Sequence, residues 1–246
     1  MSRGQTYPQL ARRIRSAPAR LGAVRLVAVD GPSGAGKTYF TERLAAALRR
    51  ADNRTGTAEP VTVLHTDDLL DGWSDQFTFW RRLDERVLRP LRSGRPGGYH
   101  RYDWDSGRFT EALVPVPAAG VLLLEGVSAA RAAIRPELTL AVFVTAPDRL
   151  RLDRVLARDG ARIRPQLLRW RAAEAEHFAA DRTAAAVDLV IDGVAGEGRS
   201  WGISTRDCAE AWSPGMDATA RLGHDRDGPA GDPIRGGPAG DGGSGP

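Results

Sequence analysis

Apolar runs and amphipathic stretches alternate along the first 192 residues. Residues 25–30 (RLVAVD) form a short apolar run ending at a glycine, the pattern of a strand buried on both faces of a parallel sheet. Residues 38–50 follow with Phe40, Leu44, Ala47 and Leu48 at helical spacing. Residues 61–65 (VTVLH), 121–124 (VLLL), 140–145 (LAVFVT) and 188–192 (DLVID) read as four more strands. Between them, Leu83, Val87 and Leu91 stand four apart in a helix predicted over residues 79–93. Two further helices are predicted over residues 147–159 and from 165 to about 186. Each opens with a proline near its first position, where a missing N–H does no harm. Residues 7–20 place Leu10, Ile14 and Ala17 on one face of a leading helix. Strands alternating with helices predict a five-stranded parallel sheet with helices on both faces.

After Gly193 the pattern fades. Trp201, Ile203 and Trp212 could dock on the domain, but residues 196–224 show neither a helical nor a strand period. In residues 225–246, 12 of 22 positions are glycine or proline, so little apolar surface is there to offset ordering entropy, and this tail is expected to be disordered. The expected organisation is a leading helix in 1–22, an α/β domain in 23–195, an extension in 196–224 and the tail in 225–246.

Composition narrows the partners. The 246 residues are 41% hydrophobic with a net charge of only +4, and no basic stripe interleaves with aromatics, so nucleic-acid binding is not expected. The single cysteine, Cys208, excludes an internal disulfide and a cysteine metal cluster. No apolar run approaches the roughly 18 residues that span a bilayer, and no secretory signal opens the chain. The arginine-rich start has no acid before Asp30, a trait of organelle transit peptides, but its helical face reads better as part of the fold. The expectation is a cytoplasmic protein without a membrane partner, and a homo-oligomer is compatible with it.

One stretch departs from this composition. Lysine and arginine total 35, yet Lys37 is the sole lysine. It sits in Gly31, Pro32, Ser33, Gly34, Ala35, Gly36, Lys37 and Thr38, an unbroken G-x-x-x-x-G-K-[ST] motif between a predicted strand and a predicted helix. Glycines let the backbone wrap phosphate oxygens, and the loop amides with the helix N-terminus present free donors to them. Thr38 offers a hydroxyl to Mg²⁺, and Lys37 reaches the β- and γ-phosphates of ATP or GTP. A guanidinium is too wide for the centre of such a cradle, whereas a compact ammonium fits. The motif and the alternation together predict a P-loop NTPase-type three-layer α/β/α sandwich.

A phosphate loop also needs carboxylates that organise Mg²⁺ or the nucleophile. Asp67 and Asp68 follow the second strand and Glu125 ends the third, where α/β sheets build their sites. Residues 99–109 (YHRYDWDSGRF) gather Tyr99, His100, Tyr102, Trp104 and Arg108 in a predicted loop of more than 20 residues. Those rings could stack a flat substrate, or Tyr102 and Trp104 could cap the sheet edge. Arg154, Arg158 and Arg162 cluster where two helices meet at Asp159 and Gly160. They suit a helical lid that stabilises charge on a transferring phosphoryl group, or a solvated helix face.

The succession GPSGAGKT, HTDDLLDGW, YDWDSGR, LLLEGV, RVLARDG and ADLVID resembles uridine kinase-like P-loop kinases of the nucleoside kinase and phosphoribulokinase group. The likeness spans residues 24–192. It implies transfer of a γ-phosphate, with Asp67 activating a nucleoside 5′-hydroxyl and ordering Mg²⁺. It further implies pyrimidine contact by Tyr102 and Arg108, Glu125 near metal and sugar, and lid roles for Arg154, Arg158 and Arg162. Asp68, Leu69 and Leu70 stand where the nucleoside enzymes carry a serine and two aromatics. The acceptor therefore stays open between uridine or cytidine and another hydroxyl compound such as pantothenate or a sugar, and an ATP-binding regulatory module is the alternative without phosphotransfer.

Overall fold

The computed structural model describes residues 5–55, 59–194 and 203–204. The expectations for residues 196–246 therefore lie outside the described residues, apart from Ile203 and Ser204. The described core order is α1 (Tyr7–Ser16), β1 (Ala23–Asp30), α2 (Lys37–Thr55), β2 (Val61–His65), α3 (Trp80–Leu83) and α4 (Arg89–Arg92). The hairpin β3 (Gly97–Asp103) and β4 (Arg108–Val116) follows, then β5 (Ala119–Glu125) and β6 (Leu138–Thr145). The chain continues through α5 (Asp148–Asp159), α6 (Arg164–Asp181), α7 (Thr183–Ala186), β7 (Leu189–Asp192) and β8 (Ile203–Ser204).

The main sheet has the order β2-β5-β1-β6-β7-β8. Its first five strands are parallel, as the alternation predicted, and β8 adds an antiparallel edge through Ile203 opposite Ile191. Strand side chains alternate between faces. Leu26, Ala28, Leu122, Leu124 and Phe143 enter a core with Leu83, Val87, Leu91 and Phe178. Val27, Val29, Val121, Leu123 and Val142 enter the opposite core with Phe40, Leu44, Leu48, Leu10 and Ile14. Full burial of each such Phe or Leu contributes about 1.5–3 kcal/mol, so packing on both faces fixes the sheet. The leading helix joins the second core, its start held by a capping box between Thr6 and Gln9. Among the described residues no helix is long and apolar enough to cross a membrane.

Three local expectations need correction. The predicted loop around residues 99–109 is a hairpin: β3 and β4 pair antiparallel, with Tyr102 opposite Phe109 and Asp103 opposite Arg108. Asp103 closes the turn by accepting from the Asp105 and Ser106 amides at 3.0 and 3.4 Å, and Gly107 takes φ +66°. The helix over residues 79–93 is not regular, because the π turn Asp84–Leu88 joins α3 to α4. Pro90 supplies the reason, since its ring crowds the carbonyl one turn earlier and it has no N–H to give. The helix predicted from 165 to 186 breaks at Arg182, which adopts φ 49°. There the Asp181 carboxylate accepts from the Ala132 amide, the Thr183 hydroxyl and the Arg135 guanidinium, anchoring the break.

Candidate active site

The register of the parallel strands sets the level of Glu125 at the ends of its neighbours. Glu125 lies opposite Val29 of β1 and opposite His65 of β2, and Asp30 ends β1 one residue further. The phosphate loop begins at the next residue, and α2 opens at Lys37. Thr38 Oγ1 donates to Glu125 Oε2 at 3.3 Å. Glu125 is only 5% exposed, and its Oε2 also lies 2.5 Å from His65 Nδ1. That bond to Glu125 raises the His65 pKa, against desolvation and helped by the charges of Glu125, Asp68 and Asp67. Lys37 is buried, with Nζ donating to Pro32 O at 3.2 Å across the loop.

The loop is shaped by close backbone approaches. A Cβ on Gly34 would stand 2.3 Å from Arg151 O of α5, and Gly34 adopts φ +77°. Only glycine fits there. At Gly126, directly after Glu125, a Cβ would lie 1.8 Å from Thr66 Oγ1. Its absence lets the end of β5 pack against the turn Thr66–Leu69 that carries Asp67 and Asp68.

Asp67 sits in the electrostatic reach of Glu125, Lys37, Arg158 and His65. Its pKa is pushed up to about 6, first by crowding protein that removes water and then by the Glu125 charge. The residue as a whole remains exposed to solvent. Asp68 turns elsewhere: its Oδ2 accepts from Tyr99 OH at 3.2 Å and pairs with Arg101 Nε at 3.1 Å, tying the turn to β3.

Aromatic rings stand beside Asp67. Trp104 Nε1 donates to Asp67 O at 3.3 Å. Trp104 meets Tyr102 edge-on at 5.2 Å between centroids and Trp73 at 5.7 Å, and Tyr102 also meets Phe109 at 5.2 Å. Trp73 reaches Trp170 of α6 at 5.7 Å. Arg82 holds this wall from behind, bonding Leu69 O and Asp75 Oδ2 with its guanidinium 4.8 Å from the Phe109 centroid. Arg108 is exposed at the hairpin end opposite Asp103.

The two lid helices meet at the turn Ala161–Ile163 after Gly160. Arg154 donates to Gly34 O at 3.4 Å and to Gly193 O at 3.1 and 3.2 Å. Arg158 forks onto its neighbour Asp159 at 2.6 and 2.7 Å, within electrostatic reach of Asp67 and Glu125. Arg162 is exposed on the turn. The structure thus gathers Lys37, Thr38, Glu125 and Asp67 at adjoining strand ends with the aromatic wall next to them. It leaves Arg108 and Arg162 at the margin.

Sequence reasoning passed over Asp30, His65 and Trp73. Asp30 is fully buried and accepts from the amides of Gly31 at 2.7 Å, Ser128 at 2.9 Å and Ala130 at 2.8 Å. It ties the start of the phosphate loop to the segment after Glu125. Burial pushes its pKa up to about 7, while the three amides and the Lys37 charge favour the carboxylate. The usable signal was an acid closing an otherwise apolar strand. Trp73 lies in the irregular segment after the Asp67 turn, where no period marks it.

The oxygen donors suit Mg²⁺. Thr38 Oγ1 and Glu125 Oε2 are hard oxygens within 3.3 Å of each other beside the phosphate loop. Mg²⁺ is held in such sites by one or two protein oxygens together with phosphate oxygens and water, so a cage of three protein ligands is not required.

No family model matches the chain. It is 32% identical over 128 residues to the inorganic pyrophosphatase TTM1 of Arabidopsis thaliana, spanning 49% of this chain and 18% of that protein. It is 30% identical over 134 residues to uridine-cytidine kinase C of Dictyostelium discoideum, spanning 50% of this chain and 27% of that protein. The chain thus spans about a quarter or less of these curated relatives' lengths. Among solved structures, a "possible uridine kinase" from Bacillus stearothermophilus aligns with TM-score 0.53 at 19% identity, covering 75% of this chain and 96% of that one. A proposed fructose transport system kinase from a Silicibacter species aligns with TM-score 0.54 at 21% identity, covering 76% and 99%. With its five parallel strands, phosphate loop and flanking helices, the chain shares the fold of these two solved structures.

Proposed function

We propose that this chain is an ATP-dependent small-molecule kinase that phosphorylates the 5′-hydroxyl of uridine or cytidine in the cytoplasm. The observation that carries the reading is the meeting of Lys37, Thr38, Glu125 and Asp67 at neighbouring strand ends, with an aromatic wall bonded to Asp67. The loop amides and Lys37 hold the triphosphate. Thr38, Glu125 and Asp67 would hold Mg²⁺, which when bound neutralises charge on the phosphate oxygens. Asp67 accepts the acceptor's hydroxyl proton or orients that hydroxyl. The hydroxyl oxygen forms a bond to the γ-phosphorus while the bond to the β–γ bridging oxygen breaks, and ADP leaves. Arg158 and Arg154 stabilise charge on the γ-phosphoryl group, and the helical lid excludes water so that phosphate reaches the acceptor. Tyr102 and Trp104 stack the base, Asp68 holds the turn against β3, and Arg108 and Arg162 stand at the margins of the acceptor site and the lid.

The name of the Dictyostelium relative supports a pyrimidine nucleoside. The Silicibacter neighbour's name favours a sugar as second acceptor class. Product analysis separates them. Incubation with MgATP and a panel of uridine, cytidine, fructose and pantothenate should yield a nucleoside 5′-monophosphate alone. A phosphorylated sugar or pantothenate would replace the acceptor and keep the kinase. ATP binding with no phosphorylated product from any acceptor would favour a regulatory module.

A further inference from the structure

The phosphate loop is gripped at three successive residues. Ala35 O approaches within 1.9 Å of where a Cβ on Gly193 would stand, and Gly34 packs on the backbone of α5 while its carbonyl accepts from Arg154. The third grip is of a different kind. Glu174, on α6, is 1% exposed and lies 141 residues from Ser33 in sequence. Its two carboxylate oxygens accept from Ser33 N at 3.0 and 3.2 Å, and Oε1 also accepts from the Ser33 hydroxyl. Trp170, one helical turn earlier on the same face, donates from Nε1 to Glu174 Oε1 at 2.7 Å and to Ser33 Oγ at 3.1 Å.

A buried carboxylate beside a loop built to hold phosphate is electrostatically costly, because like charges repel strongly where water is excluded. Tethering α6 does not require it, since Trp170, Phe178 and Leu167 already bury that helix. What the carboxylate does uniquely is accept both donors of Ser33 at once. That fixes the Pro32–Ser33 peptide and the Ser33 side chain together, and with them the path on which the backbone enters Gly34 and the amides that follow.

We propose that Glu174, oriented by Trp170, is a positioning residue for nucleotide binding: it sets the conformation of the phosphate loop from the second lid helix. The inference rests on the reading that residues 31–38 bind a nucleoside triphosphate, and requires nothing of the acceptor.

The test is calorimetric MgATP binding by the full chain, with unfolding midpoints measured with and without MgATP. The variants are Glu174→Ala, Glu174→Gln, Trp170→Phe and Ser33→Ala, with Lys37→Ala as the blank. Glu174→Ala should raise the Kd about tenfold, the scale of losing hydrogen bonds to a charged acceptor. Glu174→Gln should raise it only about threefold, because the amide oxygen still accepts from Ser33 N and the amide nitrogen can donate to its hydroxyl. Glu174→Ala combined with Ser33→Ala should cost less than the product of the two single changes, since both remove one contact. The MgATP-induced rise in midpoint should shrink in step with affinity. If Glu174→Ala lowers the nucleotide-free midpoint and leaves the Kd unchanged, Glu174 is merely structural and the proposal fails. If Glu174→Ala does not fold, unchanged affinity in both Glu174→Gln and Trp170→Phe overturns it equally. Wild type binding MgATP no better than Lys37→Ala removes the nucleotide reading, and this proposal with it.

Discussion

The phosphate loop and the hairpin wall meet at Asp67, and opposite means hold them in place. The loop is fixed by backbone and by burial: Gly34 against Arg151 O, Ser33 on Glu174, and Lys37 folded back onto Pro32. The outer rings of the wall are open to water, with Trp73 39% and Trp104 42% exposed, over a buried Tyr102. Its ties to the turn after β2 include the pair Arg101–Asp68, whose arginine is 55% exposed. A surface that must fit the same triphosphate in every turnover gains from rigidity. A surface that selects an acceptor can change its rings at little cost to the fold. The two regions touch through Trp170, which bonds Ser33 and Glu174 on one side and meets Trp73 on the other.

The comparison can be broken at Asp67, where the regions converge. Asp67→Asn should cut acceptor-dependent turnover by about 10²–10⁴-fold, the range of general-base catalysis, with the MgATP Kd changed less than about threefold. Near-normal turnover would remove Asp67 from the chemistry. On the loop side, Lys37→Ala should weaken MgATP by about 10²-fold, as expected for a charged hydrogen bond to phosphate, and titration of the variant with MgATP reads it directly. On the wall side, Trp104→Ala should raise the acceptor KM about tenfold, the scale of one lost stacking contact, and leave MgATP affinity unchanged. A Trp104→Ala variant that lost nucleotide affinity as well would show that the two regions are not separable.

The smallest expected effect lies further along α6. His177 on α6 stacks on Phe77 at 4.7 Å, and its Nε2 is buried without a hydrogen-bond partner among the described residues. Burial chiefly holds its pKa below the ordinary 6.5, with the Arg131 and Arg135 charges adding to the shift and Asp181 opposing it. The unfolded chain therefore takes up a proton as pH falls below about 6.5 while the folded chain resists, so stability is lost in that window. His177→Phe keeps the ring and removes the titration. The drop in unfolding midpoint between pH 7.5 and pH 5.5 should be smaller in the variant than in the wild type.

The two regions also differ in how far the sequence reveals them. The strand, loop and helix around Lys37 are marked by an unbroken motif and by apolar periods on both sides, so position alone predicts geometry. Glu125 and Asp67 are legible for a related reason, since strand ends in a parallel sheet converge. The hairpin is less so: a register shift between His100 and Tyr102 breaks the alternation that marks a strand, and Asp-Ser-Gly was the turn signal that remained. Glu174 stands on the buried face of α6 in step with Leu167, Trp170 and Phe178, a spacing that marks a face but names no partner for a carboxylate. Its role arises only from contact with Ser33, far away in the chain, and no local pattern encodes that. Orientation was equally hidden, because nothing in the segment from Thr66 to Leu69 says that Asp68 turns to Tyr99 and Arg101 while Asp67 stays with Glu125.

The most direct measurement is Mg²⁺-dependent ADP release from ATP, with and without uridine or cytidine, using Lys37→Ala as the blank. The account predicts that a pyrimidine nucleoside stimulates release by the wild type and that the blank stays flat. Release that no nucleoside stimulates, from a protein that still binds MgATP, would contradict it.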